Sequence, residues 1–162
     1  MSDDNDFDKG DSGALITELK EAGRMKPGSL IIMKEQYPCK VTAFSTAKPG
    51  KHGSAKAMIT AKDVFTDKQY DETFGTGDMI PAPIIKKTEC LCMCVDDEGM
   101  AQLLVGDELK EDLSLPTESH LSDVVKKIKE ILDAGTKECL ITYQTYGDKE
   151  QIVAVREGKD NE

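Results

Sequence analysis

Residues 40–62 carry five lysines, Lys40, Lys48, Lys51, Lys56 and Lys62, and no acidic side chain. The sequence as a whole leans the other way: its 162 residues sum to a net charge of −10 at pH 7. A purely basic stretch inside an acidic protein is a local electrostatic feature, and its natural chemistry is contact with an anion such as a phosphate. Residues 45–56 offer no large apolar side chain to fasten them to a core, so they are expected at an exposed hairpin tip. Gly50 and Gly53 keep the backbone slender on both sides of Lys51, and Pro49 restricts the approach to it. The loop thus displays one side chain, Lys51, with His52 beside it and the charges of Lys48 and Lys56 on the two arms. Such lysines can hold phosphates without reading bases.

Other chemistries fit the residues less well. Gly50-Lys51 has the look of a phosphate-cradling loop, but Ser45 stands where that loop needs its first glycine, His52 replaces the required Ser or Thr, and a strand follows instead of a helix. His52 has no Ser or Cys nucleophile with an orienting acid to serve, and belongs to the loop surface. Cys90, Cys92 and Cys94 alternate with Leu91, Met93 and Val95, which places the three thiols on one face of a strand and not in a metal cluster. With an odd total of five cysteines, reduced and mostly buried thiols are expected. Asp96-Asp97-Glu98 and the acids of residues 108–112 read as turns and strand ends, and His120 as a helix-boundary residue. No catalytic set emerges, so the chain is not expected to be an enzyme, and no metal or cofactor is expected.

The elements that must position the loop are mostly strands. Apolar and β-branched runs at 30–33, 39–44, 55–65 and 69–74 are separated by turn signals at Pro49-Gly50, Gly53, Gly75-Thr76-Gly77 and Pro81-Ala82-Pro83, which describes a small all-β unit. A second β-rich run covers 90–95, 100–105 and 109–115. One helix follows: Leu121, Val124, Val125, Ile128, Ile131 and Leu132 share a face, Ser119 or Ser122 is available as a cap, and Gly135 lies just past the end. Strands at 139–145 and 151–155 close the chain. Five strands with a helix between the third and fourth are the order of an oligonucleotide-binding (OB) fold barrel. The first 23 residues, rich in Asp and poor in apolar side chains, are expected as a flexible acidic tail. No stretch approaches the length of a bilayer span, so a cytoplasmic protein with no membrane partner is expected.

The nine residues Lys48-Pro49-Gly50-Lys51-His52-Gly53-Ser54-Ala55-Lys56 resemble the signature loop of the translation initiation factor 5A family. Pro38-Cys39-Lys40, Asp63-Val64-Phe65-Thr66 and Glu111-Asp112-Leu113-Ser114-Leu115-Pro116 extend the resemblance over roughly residues 24–157. Pro49 and Ser54 follow archaeal versions of the loop, where many eukaryotic members have Thr and His, whereas the length and acidic start are more eukaryotic. Residues 75–83 fit the family pattern poorly.

The resemblance implies a mainly β protein: an SH3-like barrel over residues 24–87, an OB barrel with one helix over 88–158, and a short tail at 159–162. It implies that Lys51 becomes hypusine. Deoxyhypusine synthase would transfer an aminobutyl group from spermidine and deoxyhypusine hydroxylase would hydroxylate it, with Lys48, Pro49, Gly50, His52, Gly53 and Lys56 forming the recognition surface and contacting tRNA or rRNA. The implied partners are the ribosome, peptidyl-tRNA and rRNA, and the implied role is to assist peptide-bond formation at stalled sequences such as proline runs, and termination. A general RNA-binding adaptor with unmodified Lys51 is the alternative.

Overall fold

A computed structural model describes residues 16–48 and 55–161. Pro49, Gly50, Lys51, His52, Gly53 and Ser54 lie outside the described residues. The chain divides into two compact units, Ala14–Ile84 and Ile85–Glu162. The division precedes the 87/88 boundary expected from sequence because Lys86 and Lys87 already pair with Thr145 and Gln144 in the second sheet.

Among its described residues the first unit has strands and one 3₁₀ turn as its regular elements. It runs through β1 (Thr17–Glu21), the turn Ala22–Arg24, β2 (Leu30–Met33), β3 (Tyr37–Ala47), β4 (Lys56–Asp63), β5 (Gln69–Gly75) and β6 (Met79–Pro83). Strands β2-β3-β4-β5 form an antiparallel sheet, and β1 pairs with β6. Along β4, Ala57, Ile59, Ala61 and Asp63 are buried while Lys56 and Met58 are exposed, the period-two alternation of a sheet with one face on a core. Ile31, Met33, Val41 and Ile80 complete that core.

Two expectations fail here. The acidic tail does not extend to residue 23, because Thr17–Glu21 is a strand and Ala22 is fully buried. Pro81-Ala82-Pro83 is strand and not turn. The Ile84 N–H donates to the Ile16 carbonyl, so the alternating ladder directs the even-numbered amides of β6 at β1 and turns the nitrogens of Pro81 and Pro83 away. Proline is tolerated where the ladder needs no donor.

The second unit holds β7 (Lys86–Val95), β8 (Met100–Val105), β9 (Glu108–Ser114), a 3₁₀ turn (Ser119–Leu121), α1 (Ser122–Ala134), β10 (Lys137–Tyr146) and β11 (Lys149–Asp160). The sheet order is β11-β10-β7-β8-β9, and with α1 following the third strand this is the OB arrangement. The strand β11 reaches Asp160, so Lys159 and Asp160 of the expected tail at 159–162 are sheet. Ile128 and Ile131 of α1 pack on Leu103, Ile141 and Ile152. Neither Ser119 nor Ser122 caps the helix: Leu121 holds the N-cap position after the 3₁₀ turn. Gly135 ends α1 with φ 68°, and its N–H donates to the Ile131 carbonyl, the left-handed stop that favours glycine.

Side chains link the outer strands of this sheet. Lys110 on β9 contacts Glu150 on β11 at 2.7 Å and Asp112 at 2.8 Å, and its ammonium lies 5.4 Å from the Tyr143 ring centre. Burial alone would lower the Lys110 pKa, but hydrogen bonds to the two carboxylates outweigh it and hold the value above the ordinary one. Among the described residues the protein is therefore eleven strands and one α-helix, a mainly β chain with an SH3-like unit ahead of an OB unit.

Candidate functional site

The lysine-bearing segment connects β3 to β4, and its base is well defined. Ala47 and Lys56 are opposed on the β3–β4 ladder, and Lys56 is also opposed to Gly75 of β5. The Thr76 N–H donates to the Ala55 carbonyl at 3.1 Å, and the Gly75 N–H donates to Asp78 Oδ2 at 2.9 Å. The C-terminal arm of the hairpin is thus held from the β5 side.

The other arm stands further out. The pairing of β2 with β3 stops at Lys40, opposite Leu30. A bulge follows between Val41 and Ala43, where the Thr42 hydroxyl donates to the Thr60 carbonyl at 3.2 Å. A bulge bends its strand and strengthens the local twist. From there β3 continues to Ala47 with every residue but Phe44 exposed, a reach of roughly 20 Å at strand rise. Lys48 and Lys56 are both exposed at its end. Pro49, Gly50, Lys51, His52 and Gly53, the remaining residues expected to form the site, lie outside the described residues.

Charge follows the same hairpin. Lys40 and Lys62 are directly opposed across β3–β4, a like-charge pairing that is unfavourable by itself. Asp67 offsets part of it, 3.9 Å from Lys62. The hairpin keeps a repulsive pair along its length as well as two exposed lysines near its tip, which suits an anionic partner.

Two of the segments that carry the family resemblance prove to be neighbours. Cys39 is opposed to Asp63, and the Val64 N–H donates to the Pro38 carbonyl at 2.9 Å. Buried Asp63 accepts from the Phe65 N–H at 2.7 Å and the Thr66 N–H at 3.1 Å, the local turn that a short acidic side chain favours. Burial, with the Asp63 charge adding to it, pushes the Cys39 thiol up to about 12. Pro38-Cys39-Lys40 and Asp63-Val64-Phe65-Thr66 therefore brace the root of the hairpin. Sequence reading missed this role, as it missed the Thr42 bulge; an Asp at the end of a strand, able to accept from the backbone N–H groups two and three residues on, is the signal that was available.

In the second unit a cleft of about 580 Å³ is lined by Glu108, Leu109, Lys110, Glu111, Asp112 and Tyr143 among others. Its lysine is engaged by carboxylates, so it is not a ready anion site. Among the described residues no three His, Cys, Asp or Glu side chains are grouped to hold a metal ion, and no helix is long and apolar enough to cross a membrane.

Fold and hairpin together define a tandem-barrel protein in which an SH3-like unit presents a basic hairpin and an OB unit follows. Residues 16–78 match the family model for "Translation initiation factor 5A-like, N-terminal", and residues 84–156 match that for "Eukaryotic elongation factor 5A hypusine, DNA-binding OB fold". The chain is 36% identical over 154 residues to eukaryotic translation initiation factor 5A of Dictyostelium discoideum, covering 95% of this chain and 93% of the relative. It is 34% identical over 158 residues to that of Zea mays, covering 96% of each. Among solved structures, a translation initiation factor eIF-5A family protein from Naegleria fowleri superposes with a TM-score of 0.77 at 32% identity, covering 86% of this chain and 98% of that one. The protein belongs to the translation initiation factor 5A family and is a translation factor of that kind.

Proposed function

We propose that the protein acts on the translating ribosome in the cytoplasm through a hypusine formed at Lys51. The observation that carries this reading is the β3–β4 hairpin, whose base is fixed at Ala47–Lys56 and whose charge is entirely basic from residue 40 to residue 62. A hypusine extends lysine by an aminobutyl group with a hydroxyl, so one side chain gains reach, a second amine and a further hydrogen-bonding group. Deoxyhypusine synthase, with spermidine as donor, and deoxyhypusine hydroxylase are the modifying partners, reading Lys48, Pro49, Gly50, His52, Gly53 and Lys56. Lys48 and Lys56 then contact rRNA or tRNA phosphates, and the modified side chain approaches the acceptor end of peptidyl-tRNA.

No nucleophile is needed from this chain. Holding the acceptor end in a reactive geometry lowers the barrier within the ribosome's own centre, which suits slow peptide-bond formation at proline runs and slow termination. The acidic remainder of the protein disfavours indiscriminate RNA binding and leaves the hairpin as the preferred contact.

Peptide mass spectrometry on the protein from its native cell tests the modification directly. The hypusine increment is expected on Lys51; a lysine of ordinary mass there would favour the unmodified RNA-binding adaptor and defeat this reading. Lys51→Arg keeps the charge but removes the primary amine that the transfer requires. Cells depending on that variant should lose translation of proline-run reporters while circular dichroism of the purified variant matches the wild type, and normal reporter output would count against the role of Lys51.

A further inference from the structure

We propose that Cys92 and Cys139 form a reversible dithiol–disulfide site in the second unit, oxidised by a small hydroperoxide that reaches them through the cleft beside the end of α1. The two residues are directly opposed across the β7–β10 ladder. Opposed residues of an antiparallel pair have Cα atoms about 4.5 or 5.5 Å apart, according to their place in the ladder. Both values fall inside the range of about 4.4–6.8 Å that a disulfide spans. Both side chains face the core and are buried, at 2% and 1% exposure, so neither thiol competes with water for its neighbour.

The cleft supplies the access that burial would otherwise deny. Its volume is about 320 Å³, and Cys92 and Cys139 line it with Ile131 and Leu132 of α1, Gly135 and Lys137. A water-sized peroxide fits such an opening. The pair is also asymmetric: the Cys92 thiol donates to the Cys94 carbonyl at 3.8 Å, and the interaction between the neighbouring sulfurs raises the pKa of Cys92 and lowers that of Cys139. Cys139 therefore holds the larger share of thiolate and is the attacking sulfur.

The chemistry balances with a hydroperoxide as the only co-reactant. The Cys139 thiolate attacks the outer peroxide oxygen, the O–O bond breaks, and the remaining oxygen leaves with a proton as water or an alcohol. Cys139 becomes a sulfenic acid. The Cys92 sulfur then attacks the Cys139 sulfur, the S–O bond breaks, and the hydroxyl departs with the Cys92 proton as water. Two thiols lose two electrons and the peroxide gains them. A thiol reductant reverses the bond by exchange.

The other cysteines are internal controls. Cys90 is opposed to Ile141 and Cys39 to Asp63, so neither meets a sulfur across its ladder. Burial pushes the Cys90 thiol up to about 11. Cys94 departs from the expected common face: a bulge between Cys92 and Cys94 reverses the alternation, leaving Cys94 exposed, opposed to Gln102, with its Sγ 3.4 Å from Gln102 Oε1.

The full chain treated with hydrogen peroxide, then blocked with an alkylating agent and digested with trypsin without reduction, gives the test. Lys87 and Lys110 bracket the peptide holding Cys90, Cys92 and Cys94, and Lys137 and Lys149 bracket the one holding Cys139. The two should appear joined, lighter by two hydrogens than their sum, with fragmentation placing the bond on Cys92 and a thiol reductant undoing it. Cys94→Ser should keep the link; Cys92→Ser should lose it and leave a Cys139 sulfenic acid that a dimedone probe labels. A link through Cys90 or Cys94, its persistence in Cys92→Ser, or oxidation of Cys94 while Cys92 and Cys139 stay alkylatable would overturn the proposal. If Cys92→Ser fails to fold, the wild-type peptide map decides alone.

Discussion

Lys110 shows how one side chain can stand in for backbone pairing. It is opposed to Leu103 on the β8 side, yet its ammonium turns toward β11 and Glu150, with Tyr143 of β10 beneath it. The side chain of Lys110 is 19% exposed and that of Glu150 26%, against 75% for Asp112. Solvent screens an exposed partner far more than a half-buried one, so Glu150 should carry the interaction although both distances are similar. Lys110→Ala is expected to lower the stability of the OB unit by about 1–3 kcal/mol in urea denaturation. A double-mutant cycle with Glu150→Gln should return a coupling of about 1 kcal/mol, and one with Asp112→Asn a value near zero. Equal couplings would show that burial does not govern the pair. At this scale the reading of Lys51 rests on charge and glycine placement, which are local properties of the sequence. The sequence was silent about Lys110 and about the Cys92–Cys139 pairing, because both depend on which strands become neighbours.

At the scale of elements, the strands with alternating apolar residues were legible, and so were α1 and its Gly135 stop. The β1–β6 ribbon was not, since Thr17–Glu21 has the composition of a tail and Pro81 and Pro83 look like turn residues. Tertiary pairing overrode both local signals. The ribbon leads into the 3₁₀ turn Ala22–Arg24, where the Gly23 N–H donates to the Thr76 carbonyl at 2.8 Å. A Cβ on Gly23 would lie 2.9 Å from that same carbonyl oxygen, closer than packed atoms allow, and backbone cannot yield as a side-chain end can. Gly23→Ala should therefore destabilise the first unit by about 1–3 kcal/mol, while Gly77→Ala, with open space at its Cβ position, should stay within about 0.5 kcal/mol of wild type. Thermal melts of the two variants decide the matter, and matching midpoints would mean that the turn is not pressed on Thr76. Because Thr76 also donates to Ala55 at the base of the hairpin, Gly23→Ala is further expected, under the proposed function, to slow the proposed modification of Lys51 by purified deoxyhypusine synthase.

Across the whole molecule the two units have separate cores, and each buries thiols that respond to alkali. Cys39 in the first unit is pushed from the ordinary 9.0 to about 12, chiefly by burial, and Cys90 in the second to about 11, again chiefly by burial. In the unfolded chain these thiols ionise near the ordinary value, while in the folded chain they keep their protons. As pH rises past about 9 the folded state binds more protons than the unfolded one, so stability falls. Their contribution is fully present below pH 9 and is lost on the way up to about 12 for Cys39 and about 11 for Cys90. The decline should not exceed about 1.4 kcal/mol per pH unit for each thiol. Urea midpoints followed by far-ultraviolet circular dichroism between pH 8 and pH 10 should fall more steeply above pH 9. Cys39→Ala should flatten that fall for the first unit and leave the second unchanged, because the slope reports proton binding and not the small cavity that the substitution makes. A slope that Cys39→Ala does not alter would show that the Cys39 thiol ionises as readily in the folded chain as in the unfolded one, and the burial of Cys39 against Asp63 would have to be revised.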